Sequence, residues 1–260
     1  GHSIPRVCFH FEIAGDLLTE STLNILKHAP AGAIQFEIGL QSFNEETLKA
    51  INRRTDTQKL IKNIRQLISF NNIHIHIDLI AGLPKEDLQS FENSFNTAYN
   101  LAPHMLQLGF LKLLHGAPMR QRPELFPCTY SQKPPYEVLK TPWLSEADLA
   151  LLKLVENALE RLYNSGRFKN TLAYVLKSSG LSPFELFKEF GTYIADKGTA
   201  GVSLDTFTAY VFDYFSAKRY IDPVKLRDQM VMDRLALSPY IPPCLKVSDP
   251  NLKRAIKLLE

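Results

Sequence analysis

Four strand-like runs that alternate with helical segments are the feature that most constrains the fold. The runs cover residues 7–14, 33–40, 73–81 and 105–114, and the three intervening segments each carry a helical pattern. A connection that contains a whole helix returns the next strand parallel to the last one. The first half of the chain is therefore predicted to be α/β, with four parallel strands in sequence order. Such a unit is half of an eight-unit barrel or a piece of an open sheet.

The pattern changes after about residue 120. Residues 121–144 are rich in proline and are predicted to be an extended connector. Beyond them the pattern is helical, and Ser145, Ser182, Ser203 and Asp222 each mark a helix start. We therefore expect two domains, an α/β domain over residues 1–130 and an α-helical region over residues 131–260.

Composition excludes several classes of protein. Apolar residues make up 45% and charged residues 22% of the chain, which excludes a disordered chain, and no apolar run is long enough to span a membrane. The net charge of +3 lies wholly in the second half and is too small to argue for nucleic-acid binding. Cys8, Cys128 and Cys244 are far apart, which favours a reducing cytoplasm over a disulfide framework or a metal site.

Parallel α/β folds place their chemistry at the carboxyl ends of the strands. Each polar residue there also has a plain structural interpretation: Asp78 can cap a turn, and Arg53 beside Arg54 can be a solvated helix end. His74 and His76 share one strand face, but no carboxylate lies at ligand spacing, so a polar face is favoured over a metal site. The polar candidates are Glu12, Asp16, Glu37, Gln41, Asp78, Lys112 and His115.

Two motifs carry a family resemblance. Residues 36–53, FEIGLQSFNEETLKAINR, and residues 77–84, IDLIAGLP, resemble the second half of the radical SAM superfamily in sequence and in spacing. The similarity covers about residues 7–120. It is greatest to the branch with oxygen-independent coproporphyrinogen oxidases and cobalamin-dependent enzymes, and within it to cobalamin-binding-domain proteins named after the anaerobic magnesium-protoporphyrin IX monomethyl ester oxidative cyclase.

The resemblance implies a fold, a cofactor and a set of residue roles. The fold is the second half of a radical SAM (β/α) barrel, a partial barrel followed by the helical region. The cofactor is S-adenosylmethionine (SAM). Arg53 is expected to pair with the SAM carboxylate, Gln41 and Asp78 with the ribose hydroxyls, Glu12 with the amino group or the ribose, and the backbone around Ala81 with the adenine.

The resemblance also implies that this chain is a fragment. The family's C-x3-C-x2-C motif, which holds the [4Fe–4S] cluster, would lie upstream of residue 1, as would the cobalamin-binding domain. Gly1, His2 and Ser3 resemble a tag scar. We expect the fragment alone to be inactive, and its exposed barrel edge to be covered by the helical half or by a second copy in a homodimer.

The expected parent acts on an unactivated C–H bond of a small molecule, by oxidative ring closure or methyl transfer. Two alternatives remain open. One is a binding or regulatory module that uses its helical half to hold a partner or RNA. The other is an unrelated half-barrel enzyme in which Glu12, Glu37 and Asp78 are acid–base groups.

Overall fold

The computed structural model of the protein describes residues 7–246. By backbone contacts the chain divides into two compact units, residues 1–156 and residues 157–260. This division falls later in the chain than the predicted domain boundary near residue 130. That boundary stays a prediction. The tag-like residues 1–3 lie outside the described residues. Within residues 7–246, no helix combines the length and apolar character needed to cross a bilayer.

A four-stranded parallel sheet organises the first unit. Its strands lie side by side in sequence order, and each pairs in parallel with the next one, as predicted. The order follows from the helical crossovers, because each of them returns the chain to the same end of the sheet. The strands are β1 (Phe9–Glu12), β2 (Ile34–Gln41), β3 (Ile73–Ala81) and β4 (Met105–Phe110).

Each crossover helix begins at a polar residue whose side chain accepts a hydrogen bond from the first turn. These local caps explain why the sequence located the helices well. The helices and their caps are α1 (Glu20–Leu26) with Thr19, α2 (Glu45–Ala50) with Asn44, α3 (Thr57–Ser69) with Asp56 and α4 (Leu88–Asn100) with Asp87. A 3-10 turn, Gly15–Leu17, precedes α1.

The two faces of the sheet differ in polarity because side chains alternate along a strand. On β3, Ile75 and Ile77 are fully buried, and α3 and α4 contact this strand. The alternate residues, His74, His76 and Asp78, lie on the opposite face. The sheet therefore has one apolar face covered by helices and one face that carries ionisable groups.

The proline-rich segment after β4 is not a plain extended connector. It contains a helical turn, α5 (Pro118–Gln121), and a two-stranded antiparallel sheet of β5 (Thr129–Tyr130) and β6 (Val138–Lys140). The segment returns to the main sheet, because Val138 N–H donates to the Leu111 carbonyl at 2.9 Å. Strand β4 ends at Phe110, before the predicted residue 114, because the backbone after Phe110 pairs with the segment around Val138.

The strand β1 forms one edge of the sheet and is exposed along its length. Phe9 is 58% exposed and Phe11 is 47% exposed. The Phe11 ring lies 6.2 Å from that of Phe36 on the neighbouring strand. Exposed aromatic side chains on an unpaired edge form an apolar surface that folded proteins normally cover.

The remainder of the described chain is helical. Predicted starts at Ser145, Ser182, Ser203 and Asp222 are confirmed, and Ser182 forms a reciprocal capping box with Glu185. The helices are α6 (Glu146–Leu159), which continues into a π-helical turn (Glu160–Asn164), α7 (Lys169–Ser179), α8 (Pro183–Lys197), α9 (Leu204–Ser216) and α10 (Pro223–Leu235), followed by a 3-10 turn (Pro243–Leu245).

Aromatic packing joins α8 to α9. Phe190 lies 6.0 Å from Phe207 and 5.4 Å from Phe215, measured between ring centroids, and all three side chains are buried. Phe207 and Phe215 therefore belong to the hydrophobic core of the helical unit. Tyr214 also lies against Phe190, and its hydroxyl donates to Glu189 Oε2 at 3.1 Å.

Helix α7 was not predicted, because its N-terminal cap is not local. No side chain at Phe168 caps the helix. Instead, the buried carboxylate of Asp233 in α10 accepts hydrogen bonds from the backbone and side chains of Asn170 and Thr171, at 2.7–2.9 Å. A residue distant in sequence thus satisfies the free N–H groups of the first turn.

Replacing Asp233 with Ala should destabilise the protein more than the loss of a local cap. Asp233→Ala leaves two N–H groups, a hydroxyl and an amide without their acceptor, and we expect a loss of about 2–4 kcal/mol in unfolding free energy. The matched control is Ser203→Ala, which removes the α9 cap and should cost about 1 kcal/mol. Urea denaturation followed by circular dichroism measures both. Equal losses would contradict the nonlocal cap.

Candidate functional site

A cavity of about 260 Å³ opens at the carboxyl ends of the first three strands. Three carboxylates, one guanidinium and one amide face it. Its lining residues are Glu12, Ile13, Ala14, Glu37, Gly39, Gln41, Arg53 and Asp78. The structure therefore brings together four of the five residues that the sequence proposed for cofactor binding.

Strand register explains why these residues converge. Glu12 pairs in register with Glu37 across β1 and β2, and Gly39 pairs with Asp78 across β2 and β3. The register shifts between Gly39 and Gln41, and the backbone of Gln41 has a φ of 71°. This bulge with a left-handed residue places Gln41 in the cavity at the end of the strand.

Gly39 leaves the floor of the cavity open for the Gln41 amide. A Cβ atom at Gly39 would lie 2.5 Å from Gln41 Nε2, so a larger residue would displace that side chain. Gln41 Oε1 is buried and accepts no hydrogen bond from the described residues. A buried amide oxygen without a donor is one that a ligand hydroxyl can satisfy.

Arg53 reaches the cavity from a loop and not from a helix. Helix α2 ends at Ala50, and Asn52 adopts a left-handed φ of 57° before Arg53. The interpretation of Arg53 and Arg54 as a helix end is therefore wrong, because this turn carries the chain out of the helix before Arg53. Its Nη2 donates to the Gly39 carbonyl, and the rest of the fork remains available to an anion.

Ala81 lies outside the cavity lining. It is fully buried at the end of β3, and its carbonyl accepts the Leu111 N–H at 2.9 Å. The next residue, Gly82, has a φ of 93°, and a Cβ atom there would lie 2.6 Å from Val138 Cγ1. On that side Val138 occupies the space that the small residues leave. A contact between Ala81 and the adenine stays a prediction.

The carboxylates of the cavity are coupled to two histidines. His76 Nε2 lies 2.9 Å from Asp78 Oδ1, and His10 Nε2 lies 3.1 Å from Glu37 Oε2. Burial lowers the pKa of His76, but the carboxylates of Asp78 and Glu37 outweigh burial, and the pKa is raised. Burial and the nearby Asp78 carboxylate raise the pKa of Glu37. The site thus places two of its carboxylates close to histidine rings.

Over residues 7–246, no three His, Cys, Asp or Glu side chains are arranged to hold a metal ion. His74 faces His104, with ring centroids 5.0 Å apart, whereas His76 contacts Asp78. His115 contacts Tyr136, with 3.2 Å between Nε2 and the hydroxyl, and does not line the cavity.

The sequence did not single out Glu86, a buried carboxyl just outside the cavity. It is fully buried in the loop between β3 and α4 and is bonded to Ser42, the residue after Gln41. Burial raises the pKa of Glu86 to about 7. The only signal in the sequence is an acidic residue directly after Gly82-Leu83-Pro84-Lys85, and its burial depends on packing against α4.

Two family profiles match successive parts of the chain. A profile described as the radical SAM superfamily matches residues 3–98. A profile described as a protein of unknown function, DUF4080, matches residues 124–257, which is more than half of the chain. The chain belongs to the DUF4080 family. In this DUF4080 protein, the segment that matches the radical SAM superfamily precedes the DUF4080 region.

Curated relatives match part of the DUF4080 protein. It is 31% identical over 104 residues to the oxygen-independent coproporphyrinogen-III oxidase-like protein HemZ of Bacillus subtilis, covering 40% of this chain and 20% of the relative. It is 30% identical over 89 residues to anaerobilin synthase of Escherichia coli O157:H7, covering 34% and 20%. The DUF4080 protein therefore spans about a fifth of the length of these relatives.

One solved structure shows a distant likeness. Coproporphyrinogen III oxidase (HemN) from Escherichia coli, described as a radical SAM enzyme, matches with a TM-score of 0.39 and 22% identity. The match covers 60% of this chain and 32% of the HemN chain.

The histidine next to the cavity should report on Asp78. Asp78→Asn removes the charge that raises the pKa of His76 but leaves the ring buried, so we expect this pKa to fall. In the wild type the pair stabilises the fold fully below the ordinary value of 6.5, and this contribution is lost as the pH rises through the raised pKa. NMR titration of the imidazole signals measures the shift. Asp16→Asn, outside the cavity lining, is the control, and an unchanged His76 pKa in Asp78→Asn would contradict the coupling.

Proposed function

We propose that residues 7–114 form one wall of a SAM site in a radical SAM protein. The observation that carries the proposal is that Glu12, Gln41, Arg53 and Asp78, from three strands and a loop, line a single cavity. The match of residues 3–98 to the radical SAM superfamily supports it. The partial barrel is part of the same proposal, with the four parallel strands as its second half.

The charges of the cavity are complementary to SAM. SAM carries an ammonium, a sulfonium and one carboxylate, and the cavity presents Glu12, Glu37 and Asp78 opposite one guanidinium. We assign Arg53 to the SAM carboxylate, because a planar fork suits a planar anion. Asp78 and Gln41 are assigned to the ribose hydroxyls, and Glu12 to the ammonium or the ribose. When bound beside a reduced [4Fe–4S] cluster, SAM supplies radical chemistry at an unactivated C–H bond.

The radical SAM family implies SAM and a [4Fe–4S] cluster for the intact parent, with the cluster held by another segment. The names of the relatives include a coproporphyrinogen-III oxidase-like protein and an anaerobilin synthase, and these names favour a small-molecule, porphyrin-related substrate. Oxidative cyclisation or methyl transfer, a role for cobalamin, and a cytoplasmic location extend this proposal and rest on the sequence resemblance. A homodimer through the exposed edge of β1 would cover Phe9 and Phe11.

A second candidate function is acid–base catalysis without SAM. The pairs His10–Glu37 and His76–Asp78 and the raised pKa of Glu37 favour it. The two candidates differ in what they predict for ligand binding. Only a SAM site should recognise the sulfonium, the amino acid and the ribose together.

SAM titration of the chain tests the proposal. We expect weak binding, with a Kd of about 1 mM, because the sequence contains no C-x3-C-x2-C motif to hold the cluster that completes the site in the family, and because the hydrogen bonds lie at an open sheet edge. In NMR spectra, SAM should shift the amide signals of Gly39, Gln41, Arg53 and Asp78. Neutral adenosine should perturb the same region less, because it lacks the charges that the carboxylates and Arg53 match.

Variants decide the assignment. Asp78→Asn and Arg53→Gln should each weaken the SAM response about tenfold, because each removes a charged hydrogen-bond partner. Asp56→Asn, at the exposed cap of α3, should leave the response unchanged. Shifts that fall mainly outside the cavity, or survive Asp78→Asn, would refute the SAM site.

Iron–sulfur reconstitution provides an independent test. The chain should remain colourless after anaerobic treatment with iron and sulfide and should not cleave SAM, because Cys8, Cys128 and Cys244 are far apart in sequence and form no ligand group among the described residues. Absorbance between 350 and 450 nm, about the usual charge-transfer region, measures cluster formation. A brown protein with one cluster per chain would contradict this expectation.

A further inference from the structure

A buried network around Glu86 fixes the loop that follows β2. Glu86 Oε1 accepts hydrogen bonds from Ser42 Oγ at 2.5 Å and from Ser94 Oγ in α4 at 3.2 Å. All three side chains are buried. One carboxylate oxygen thus joins the loop between β2 and α2 to helix α4.

The same network holds the backbone directly after Gln41. Phe43 N–H donates to Ser94 Oγ at 3.0 Å, and Asn44 N–H donates to Ser42 Oγ at 2.9 Å. Gln41 itself is a non-glycine residue with a φ of 71°, a conformation that persists only where the surroundings enforce it. The three residues after Gln41 are each tied to this network, which supplies that enforcement.

The buried position of Glu86 is energetically unfavourable for a carboxyl group. The pKa of Glu86 is raised to about 7, because burial and the nearby Asp87 raise it by more than the hydroxyls of Ser42 and Ser94 lower it. The other charged neighbour in sequence, Lys85, is exposed and lies near Glu46, with 3.7 Å between Nζ and Oε2. An amide or an apolar side chain would avoid the cost of burying a carboxylate, so packing alone gives no reason for Glu86.

We propose that Glu86 is a positioning residue for the cavity: through Ser42 and Ser94 it holds Gln41 in the left-handed conformation that directs its amide into the site. The ionised carboxylate accepts hydrogen bonds more strongly than the neutral acid. The Gln41 loop is therefore held most tightly when Glu86 is ionised. The consequence for ligand binding rests on the proposed function, because it concerns a SAM ribose on Gln41.

Loop dynamics in the free chain test the positioning role without any ligand. In Glu86→Leu, which keeps a similar volume but removes the acceptor, hydrogen exchange of the Phe43 and Asn44 amides should accelerate about tenfold. Glu86→Gln restores an acceptor and should exchange at nearly the wild-type rate. Glu45→Gln, at the exposed start of α2, is the matched control and should change nothing. Unchanged exchange in a folded Glu86→Leu would overturn the proposal.

A pH titration keeps the proposal falsifiable if Glu86→Leu does not fold. In the wild type, the NMR signals of the Gln41 backbone and side-chain amides should shift between pH 5.5 and 8.5, with a midpoint of about 7, because the carboxyl changes its hydrogen bonding as it ionises. In Glu86→Gln this titration should disappear. Wild-type Gln41 signals that do not titrate, or that titrate equally in Glu86→Gln, would overturn the proposal.

The ligand measurement separates the two proposals. If SAM shifts the cavity signals in the wild type, its apparent affinity should rise with pH through about 7 and should lose this dependence in Glu86→Gln. If SAM does not bind the wild type at all, the proposed function fails, while the exchange and titration results still decide the role of Glu86. SAM binding that has the same pH dependence in wild type and Glu86→Gln would refute the link between Glu86 and the site.

Discussion

Parallel pairing of β2 with both of its neighbours is the constraint on which the site depends. It sets Glu12 beside Glu37 and Gly39 beside Asp78, so groups from three separate segments meet at one edge. A slip of one residue would turn Asp78 to the apolar face and bury a carboxylate among isoleucines. The helices on that face therefore fix the chemistry of the other face, because they hold the register.

Basic side chains reduce the repulsion among the carboxylates on the polar face of the sheet. Three carboxylates at a strand edge repel one another, and the structure offsets this repulsion with histidines on the same face and with Arg53 above Gly39. The remaining imbalance is negative charge and one buried amide oxygen without a donor. A cationic ligand with hydroxyl groups would remove both, and this is the basis on which we propose a SAM site rather than a site for a simple anion.

What the sequence predicted correctly depends on local patterns. The strands of the sheet, the caps at Ser182 and Ser203, and the convergence of Glu12 with Asp78 all follow from periodicity, from neighbouring residues or from the common edge of parallel strands. The errors arise where the decisive partner is distant. Arg53 leaves its helix through a left-handed turn, and the proline-rich connector gains structure only by pairing with the end of β4.

Glu86 and Ala81, both outside the cavity lining, show the same limit of prediction from sequence. Nothing adjacent to Glu86 in sequence shows that two serines from other segments will surround it, and nothing adjacent to Gly82 shows that Val138 will occupy the space beside it. The sequence can therefore indicate which residues reach the edge of the sheet. It cannot indicate which side chains from later segments will support them or fill the gaps between them.

The cap that Asp233 provides has a consequence for the order of folding. Residues 170 and 233 are 63 positions apart, so the first turn of α7 gains its acceptors only after a long loop has closed. Helix nucleation costs free energy, so a helix without a local cap is not expected to form on its own. Helix α7 should therefore consolidate late, together with α10, and the two helices behave as one cooperative unit whose formation waits for a contact between distant parts of the chain.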